Sequence, residues 1–159
     1  MRAGLREPLD AVAAALRSRR LTIGVGESCT GGLLAAALTE LPGSSDFFLG
    51  GAVTYSNAAK SALLKVPPAL IRRHGAVSAR VAEAMATGAG RLFGADVGVG
   101  ITGVAGPDSS EEKPVGLTYI ATAAGRQTAV REFRWRGGRS ANRRASVDAA
   151  LALILEILR

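Results

Sequence analysis

Two short apolar runs in this chain each end in a glycine-rich loop, and this pairing constrains the fold more than any other feature. Leu21-Thr22-Ile23-Gly24-Val25 runs into Gly26 to Gly32, and Val97 to Thr102 runs into Gly103 to Gly116. Short apolar runs separated by segments of helical period point to parallel strands joined by crossover helices. In such sheets ligands bind beyond the carboxyl ends of the strands, where these loops lie. A first helix is predicted from about Glu7 to Arg19, because Leu9, Val12, Ala13 and Leu16 follow the i, i+3, i+4, i+7 spacing, with Pro8 in its first turn. Further helices are predicted over Gly32 to about Leu41, Asn57 to about Leu64, Pro68 to about His74, Ser78 to Leu92 and Ser140 to Leu158. Ser78 is a good N-cap. Its helix sets Arg80 and Glu83 on the polar side and Val81, Ala84, Met85 and Gly88 on the packed side. Phe47 to Tyr55 reads as a second strand, in which Gly50 and Gly51 mark a close backbone approach or a bulge. Leu117 to Ala123 and Gln127 to Trp135 read as a hairpin turned at Ala124-Gly125. The expectation is one α/β domain over residues 1–159, a three-layer α/β/α sandwich with a mixed, mainly parallel sheet.

Length and composition narrow the class. A domain near 150 residues buries roughly 70% of the surface its unfolded chain exposes, so it needs no covalent staples. The single Cys29 excludes an internal disulfide framework, and the single His74 argues against a His-based metal site. With 48% hydrophobic residues the chain is not a disordered one. No apolar run reaches the roughly 20 residues that span a bilayer. The N-terminal segment has no uninterrupted apolar stretch of the kind a signal peptide carries, because Glu7 and Asp10 break it. A soluble cytoplasmic protein is expected. The net charge of +7 is carried mostly by arginine, 17 Arg against 3 Lys, and seven arginines fall between Arg126 and Arg144 with only Glu132 opposing them. Such a stripe is either a solvated face or a site for phosphate or nucleic acid.

The loop Gly24-Val25-Gly26-Glu27-Ser28-Cys29-Thr30-Gly31-Gly32 fails the dinucleotide fingerprint, because Cys29 stands where the third glycine belongs. It fails the P-loop as well, because Gly31 is followed by Gly32 and not by Lys and a hydroxyl residue. What remains is a hydroxyl, Ser28, just ahead of a helix start. The amides of Thr30, Gly31 and Gly32 are placed to stabilise an oxyanion or bind phosphate, or Ser28 or Thr30 is simply an N-cap. A serine nucleophile needs a base. His74 closes a helix in Arg72-Arg73-His74-Gly75, which suits a dipole interaction better than catalysis. Lysine is the other option, and Lys60 follows the second strand closely, near Tyr55. Lys60 reads either as a surface lysine on a short helix or, if buried, as a base of lowered pKa. Cys29 is a rival nucleophile or a small core residue. The loop from Gly103 to Gly116, entered from Thr102, is long for a bare connection and is either functional or a mobile surface loop. Its Glu111 and Glu112 read as solvated.

Four segments occur together and in order: Glu27-Ser28-Cys29-Thr30-Gly31-Gly32, Tyr55-Ser56-Asn57 with Lys60, Gly103-Val104-Ala105-Gly106-Pro107 and Lys113-Pro114-Val115-Gly116. The ordered set closely resembles the CinA C-terminal domain family, whose enzymatic members are nicotinamide mononucleotide deamidases, and the resemblance runs from about Leu5 to Leu158. It implies hydrolysis of the carboxamide of nicotinamide mononucleotide to nicotinate mononucleotide and ammonia by a Ser–Lys amidohydrolase, with no metal and no cofactor. Ser28 matches the nucleophile, Lys60 the base, and Tyr55 a tyrosine that assists proton transfer or orients the dyad. Thr102, Gly103, Ala105 and Gly106 match the loop that lines the substrate site, and Arg143, in Arg139-x3-Arg143, matches a basic position for the phosphate. The resemblance also implies a stand-alone domain and a homo-oligomer, with a dimer favoured. The partner is a phosphorylated nucleotide rather than nucleic acid or membrane. Two positions depart from the family pattern: Pro107-Asp108-Ser109-Ser110-Glu111 lacks a common glycine pair, and Gly138 stands where Asp is usual. Two other readings stay open, a non-enzymatic competence or DNA-damage adaptor and an amidase for another small nucleotide amide.

Overall fold

A computed structural model describes residues 3–159 of the chain; Met1 and Arg2, which fall within the expected domain span 1–159, lie outside the described residues. The elements run α1 (Ala3–Arg19), β1 (Ile23–Glu27), α2 (Leu33–Thr39), β2 (Phe48–Val53), α3 (Asn57–Leu64), α4 (Pro68–His74), α5 (Ala79–Phe93), β3 (Val97–Gly103), β4 (Leu117–Ala124), β5 (Gln127–Arg134) and α6 (Arg139–Ile157). The five strands form one sheet in the order β2-β1-β3-β4-β5. β2 and β3 each pair parallel with β1, while β4 pairs antiparallel with both β3 and β5. The pairings therefore divide evenly, but four strands point one way and β4 alone opposes them, which is the mainly parallel sheet expected.

Helices cover both faces. On one side α1, α2 and α6 enclose the larger core, in which Leu9, Val12, Leu16, Val25, Leu34, Ile120, Leu151 and Ile154 are buried. On the other side α3, α4 and α5 pack over Ala52, Leu64, Ile71, Val81 and Met85. The predicted stripe of α1 is thus the buried one. Pro8 lies inside α1 rather than in its first turn, since the helix begins at Ala3. In α5 the Ser78 hydroxyl accepts the Val81 N–H, as its N-cap position requires. Val81, Met85 and Gly88 are buried and Arg80 is exposed, but Ala84 and Glu83 are both half-buried at the edge of the stripe.

Glycines let α5 lie flat on the sheet. A β-carbon at Gly98 would stand 2.0 Å from the Ala86 carbonyl oxygen, and one at Gly100 would stand 2.3 Å from that of Ala82. In β2 the Phe93 ring occupies the space over Gly50, and the β1–β2 register is irregular between Ile23 and Gly24. Both meanings of a strand glycine hold there. Strand β1 continues through Gly26 and Glu27, predicted as turn, because those residues pair with Ala52 and Val53 on one side and Gly100 and Ile101 on the other. The parallel arrangement brings the carboxyl ends of β1, β2 and β3 to one end of the sheet. No helix of the described residues is long and apolar enough to cross a membrane.

Candidate active site

At that end a cavity of about 230 Å³ opens between the loops, lined among others by Ser28, Tyr55, Lys60, Thr102, Ala105 and Arg139. Ser28 follows β1 directly, and its N–H donates to the Ile101 carbonyl at 3.0 Å, so the sheet itself fixes the nucleophile candidate. Thr54 extends β2 in the same way, donating its N–H to the Glu27 carbonyl at 2.7 Å. Ser56 then caps α3 by accepting the Ala59 N–H, and the helix carries Lys60 on its inward side.

Lys60 is only 2% exposed. Its Nζ lies 3.2 Å from Ser28 Oγ and donates to the Thr54 carbonyl at 3.0 Å. Burial holds its pKa below the ordinary 10.5, because water no longer solvates the ammonium; Cys29 and Glu111 push in the opposite direction. An amine with a lowered pKa, in hydrogen-bond contact with a serine hydroxyl, has the chemistry to take that hydroxyl's proton. Of the two open readings of Lys60, the structure gives the buried one.

Cys29 is buried in the larger core, and desolvation pushes its thiol up to about 11. A thiol raised that far stays protonated near neutral pH, which fits the core-residue reading of Cys29 better than the nucleophile reading. His74 ends α4 and does not line the cavity. Among the described residues no three His, Cys, Asp or Glu side chains gather into a metal-binding group.

The amides expected at the helix start are mostly taken. Gly31 N–H donates to the Ser28 carbonyl at 3.0 Å, and Gly32 N–H to Glu27 Oε2 at 3.1 Å. Thr30, Gly31 and Gly32 do not line the cavity, and Thr30 is fully buried with its hydroxyl unpaired. Glu27 is the residue that sequence reasoning missed. Its side chain is 1% exposed and reaches back over the loop, accepting from Gly32, Leu34 and Ala35 at 2.9 to 3.1 Å. The start of α2 is therefore capped by a carboxylate from the end of β1, and the Ser28 turn is clamped between the two. A charged residue closing an otherwise apolar strand was the available signal.

Among the other expected residues, Thr102, Gly103, Ala105 and Gly106 all line the cavity. The Thr102 hydroxyl donates to the Ala76 carbonyl at 2.8 Å, which ties β3 to the turn before α5. Tyr55 lies on the cavity rim, 59% exposed, and its hydroxyl accepts from Arg139 Nη2 at 2.9 Å instead of bonding Ser28 or Lys60. Arg143 does not line the cavity. Its Nη2 donates to the Thr30 carbonyl at 2.7 Å, so it braces the Ser28 loop from behind. The arginine on the rim is Arg139, one helical turn earlier, which also donates to the Gly106 carbonyl at 2.7 Å. Asn142, buried between them, donates to the Ala105 carbonyl at 3.1 Å. The first turns of α6 thus fasten both loops of the site.

A family model described as the CinA C-terminal domain matches residues 6–158. A putative competence-damage inducible protein of Moorella thermoacetica is 50% identical over 155 residues, covering 96% of this chain and 37% of that protein. A CinA-like protein of Geobacter sulfurreducens is 48% identical over 142 residues, 89% of this chain and 34% of the relative. The chain spans about a third of the length of these curated relatives. Among solved structures, the competence/damage inducible protein CihA of Agrobacterium tumefaciens superposes with a TM-score of 0.96 at 38% identity, covering 100% of this chain and 98% of that one. A CinA superfamily protein of Klebsiella pneumoniae gives 0.94 at 35% identity, covering 97% of each.

Proposed function

The chain belongs to the CinA C-terminal domain family, and on that premise we propose that it hydrolyses the carboxamide of nicotinamide mononucleotide, releasing ammonia and nicotinate mononucleotide. The observation that carries this reading is the buried Lys60 amine 3.2 Å from Ser28 Oγ, both lining a cavity of about 230 Å³. Neutral Lys60 takes the Ser28 proton as Oγ attacks the carboxamide carbon. The Cys29 N–H beside Ser28, and those of Ala105 and Gly106 on the cavity wall, donate to no protein oxygen among the described residues and are the donors for the tetrahedral oxyanion. Protonated Lys60 then gives its proton to the departing nitrogen, the C–N bond breaks and ammonia leaves an ester on Ser28. Water attacks that ester; Lys60 accepts its proton and returns one to Ser28 Oγ as the carboxylate product departs.

Arg139 takes the phosphate role in place of Arg143, since its guanidinium is the one on the cavity rim. Tyr55, held by Arg139, acts on the substrate side and not on the dyad. The test is an assay of purified protein with nicotinamide mononucleotide that follows ammonia and identifies the nucleotide product. Stoichiometric appearance of both supports the reading. A folded protein that releases neither, and instead binds duplex DNA with a steep salt dependence, overturns it in favour of an adaptor.

A further inference from the structure

Glu111 is a carboxylate on the cavity wall that the chemistry above leaves unused. It sits in a turn that suits its residue type poorly. Ser110 and Lys113 pair with each other, the Lys113 N–H donating at 2.8 Å and the Ser110 N–H at 3.3 Å. Between them Glu111 and Glu112 have φ of 53° and 60°. Two successive left-handed residues between paired neighbours make a type I′ turn, the place for Asn-Gly or Asp-Gly. A Glu pair there is held only by its surroundings. The hold is visible: Glu111 Oε2 accepts the Ala76 N–H at 2.9 Å, and Lys113 Nζ donates to the Val77 carbonyl at 2.9 Å. The turn is strapped to the segment before α5, and the strap fixes a carboxylate on the wall of the cavity that holds Ser28 and Lys60. Glu111 Oε1 accepts no protein hydrogen bond among the described residues. The wall therefore carries Glu111 on the Ala76 side and a cation, Arg139, on the Tyr55 and Gly106 side, with Asp108, whose carboxylate is tied to no protein group among the described residues, as the other acidic residue of the lining.

We propose that Glu111 is a specificity-determining residue whose carboxylate faces the cationic ring of a pyridinium nucleotide while Arg139 meets its phosphate, so that the site selects a zwitterion over a neutral amide of the same shape. This rests on the deamidase reading above. The charge pattern on the wall matches the charge pattern of the substrate, and attraction between such charges grows as the cavity excludes water. The arrangement also couples binding to catalysis. In the empty site the Glu111 charge favours protonated Lys60. A cationic ring docked beside Glu111 offsets that charge and leaves Lys60 free to act as the base.

The experiment compares wild type with Glu111→Gln, which keeps an acceptor for the Ala76 N–H but loses the charge. Two probes are used: the KM of nicotinamide mononucleotide, and the Ki of its reduced form, whose ring is neutral, as a competitive inhibitor. The expected result is a KM raised about tenfold, the size of one charge interaction in a half-solvated site, with the Ki unchanged within twofold. The acid limb of the kcat/KM pH profile should also move to lower pH. The groups facing Lys60 are Ser28, Cys29 and the Thr54 carbonyl, with Tyr55, Asp108, Glu111 and Arg139 around the cavity; Glu111→Gln removes one negative charge among them. Glu112→Gln is expected to change neither constant. If KM and Ki rise together and the pH profile stays put, Glu111 only holds the turn, and the proposal is overturned while the deamidase reading stands. If wild type releases no ammonia, the deamidase reading fails. Calorimetric binding of the same two nucleotides to wild type and Glu111→Gln then decides the charge selection by itself, with equal losses for both counting against it.

Discussion

Removing the Glu27 carboxylate should unfold the protein more readily than any other single change at the site. The carboxylate is buried and accepts three backbone N–H groups, those of Gly32, Leu34 and Ala35. Glu27→Ala leaves all three without their acceptor. An orphaned buried donor costs about 1–3 kcal/mol. Leu34 is fully buried and takes the upper part of that range, while Gly32 and Ala35 are half-buried and recover part of their loss from water. The total comes to about 4 kcal/mol, a large share of the 5–15 kcal/mol that holds a typical domain together. With a urea m-value of about 2 kcal/mol/M, the unfolding midpoint falls by about 2 M. Trp135, the sole tryptophan, donates from Nε1 to Ser146 Oγ in α6 and serves as the fluorescence reporter. Glu27→Gln keeps one acceptor but turns an NH2 towards the amides, so it should lose about half as much. A Glu27→Ala midpoint within about 0.5 M of wild type, below 1 kcal/mol, would refute the clamp.

Two further outcomes follow from the same geometry. Lys60→Met should abolish turnover yet stabilise the fold by about 1 kcal/mol at neutral pH, because it removes a buried amine whose protonation burial opposes while keeping the volume. Burial lowers the folded-state pKa of Lys60 below 10.5, so between the two values the unfolded chain binds the extra proton and wild type gains stability as pH rises. The advantage of Lys60→Met should accordingly shrink as pH rises towards 10.5 in urea unfolding curves, and a constant advantage would contradict a depressed Lys60. Cys29→Ala should keep turnover within about threefold, and the wild-type thiol, pushed up to about 11, should resist iodoacetamide at pH 8 until the chain is unfolded; fast labelling of native protein would argue otherwise.

Local signals carried much of the fold. Asn57–Leu64 and Pro68–His74 start where expected and end close to the expected bounds, because Ser56 caps one helix and the Pro67-Pro68 pair starts the other. The boundaries that moved were decided by partners distant in sequence. Gly26 and Glu27 look like turn residues in isolation and become strand only because β2 and β3 flank them. The site divides in the same way. Ser28 stands at a strand end where chemistry is placed and Lys60 on the helix that follows β2, but the burial of Lys60 depends on how α3 packs and is invisible in a one-dimensional pattern. Arg139 and Arg143 share one helix face, and sequence spacing does not say which reaches the cavity; a rise of about 6 Å over four residues separates a rim position from one behind the loop. The Glu27 clamp was hidden because its acceptors serve amides five to eight residues ahead, outside the three-residue spacing of a capping box. The strap formed by Glu111 and Lys113 escaped for a similar reason, since a Glu pair is not a turn signal.

On the proposed function, Ser28, activated by buried Lys60, is the nucleophile of an amide hydrolysis. Ammonia release from nicotinamide mononucleotide by wild type and by Ser28→Ala, each shown folded by its urea midpoint, tests it most directly. Wild type should release ammonia and Ser28→Ala should lose about a thousandfold or more, the scale on which removal of a catalytic serine acts. Folded Ser28→Ala protein that releases ammonia within tenfold of wild type would contradict it.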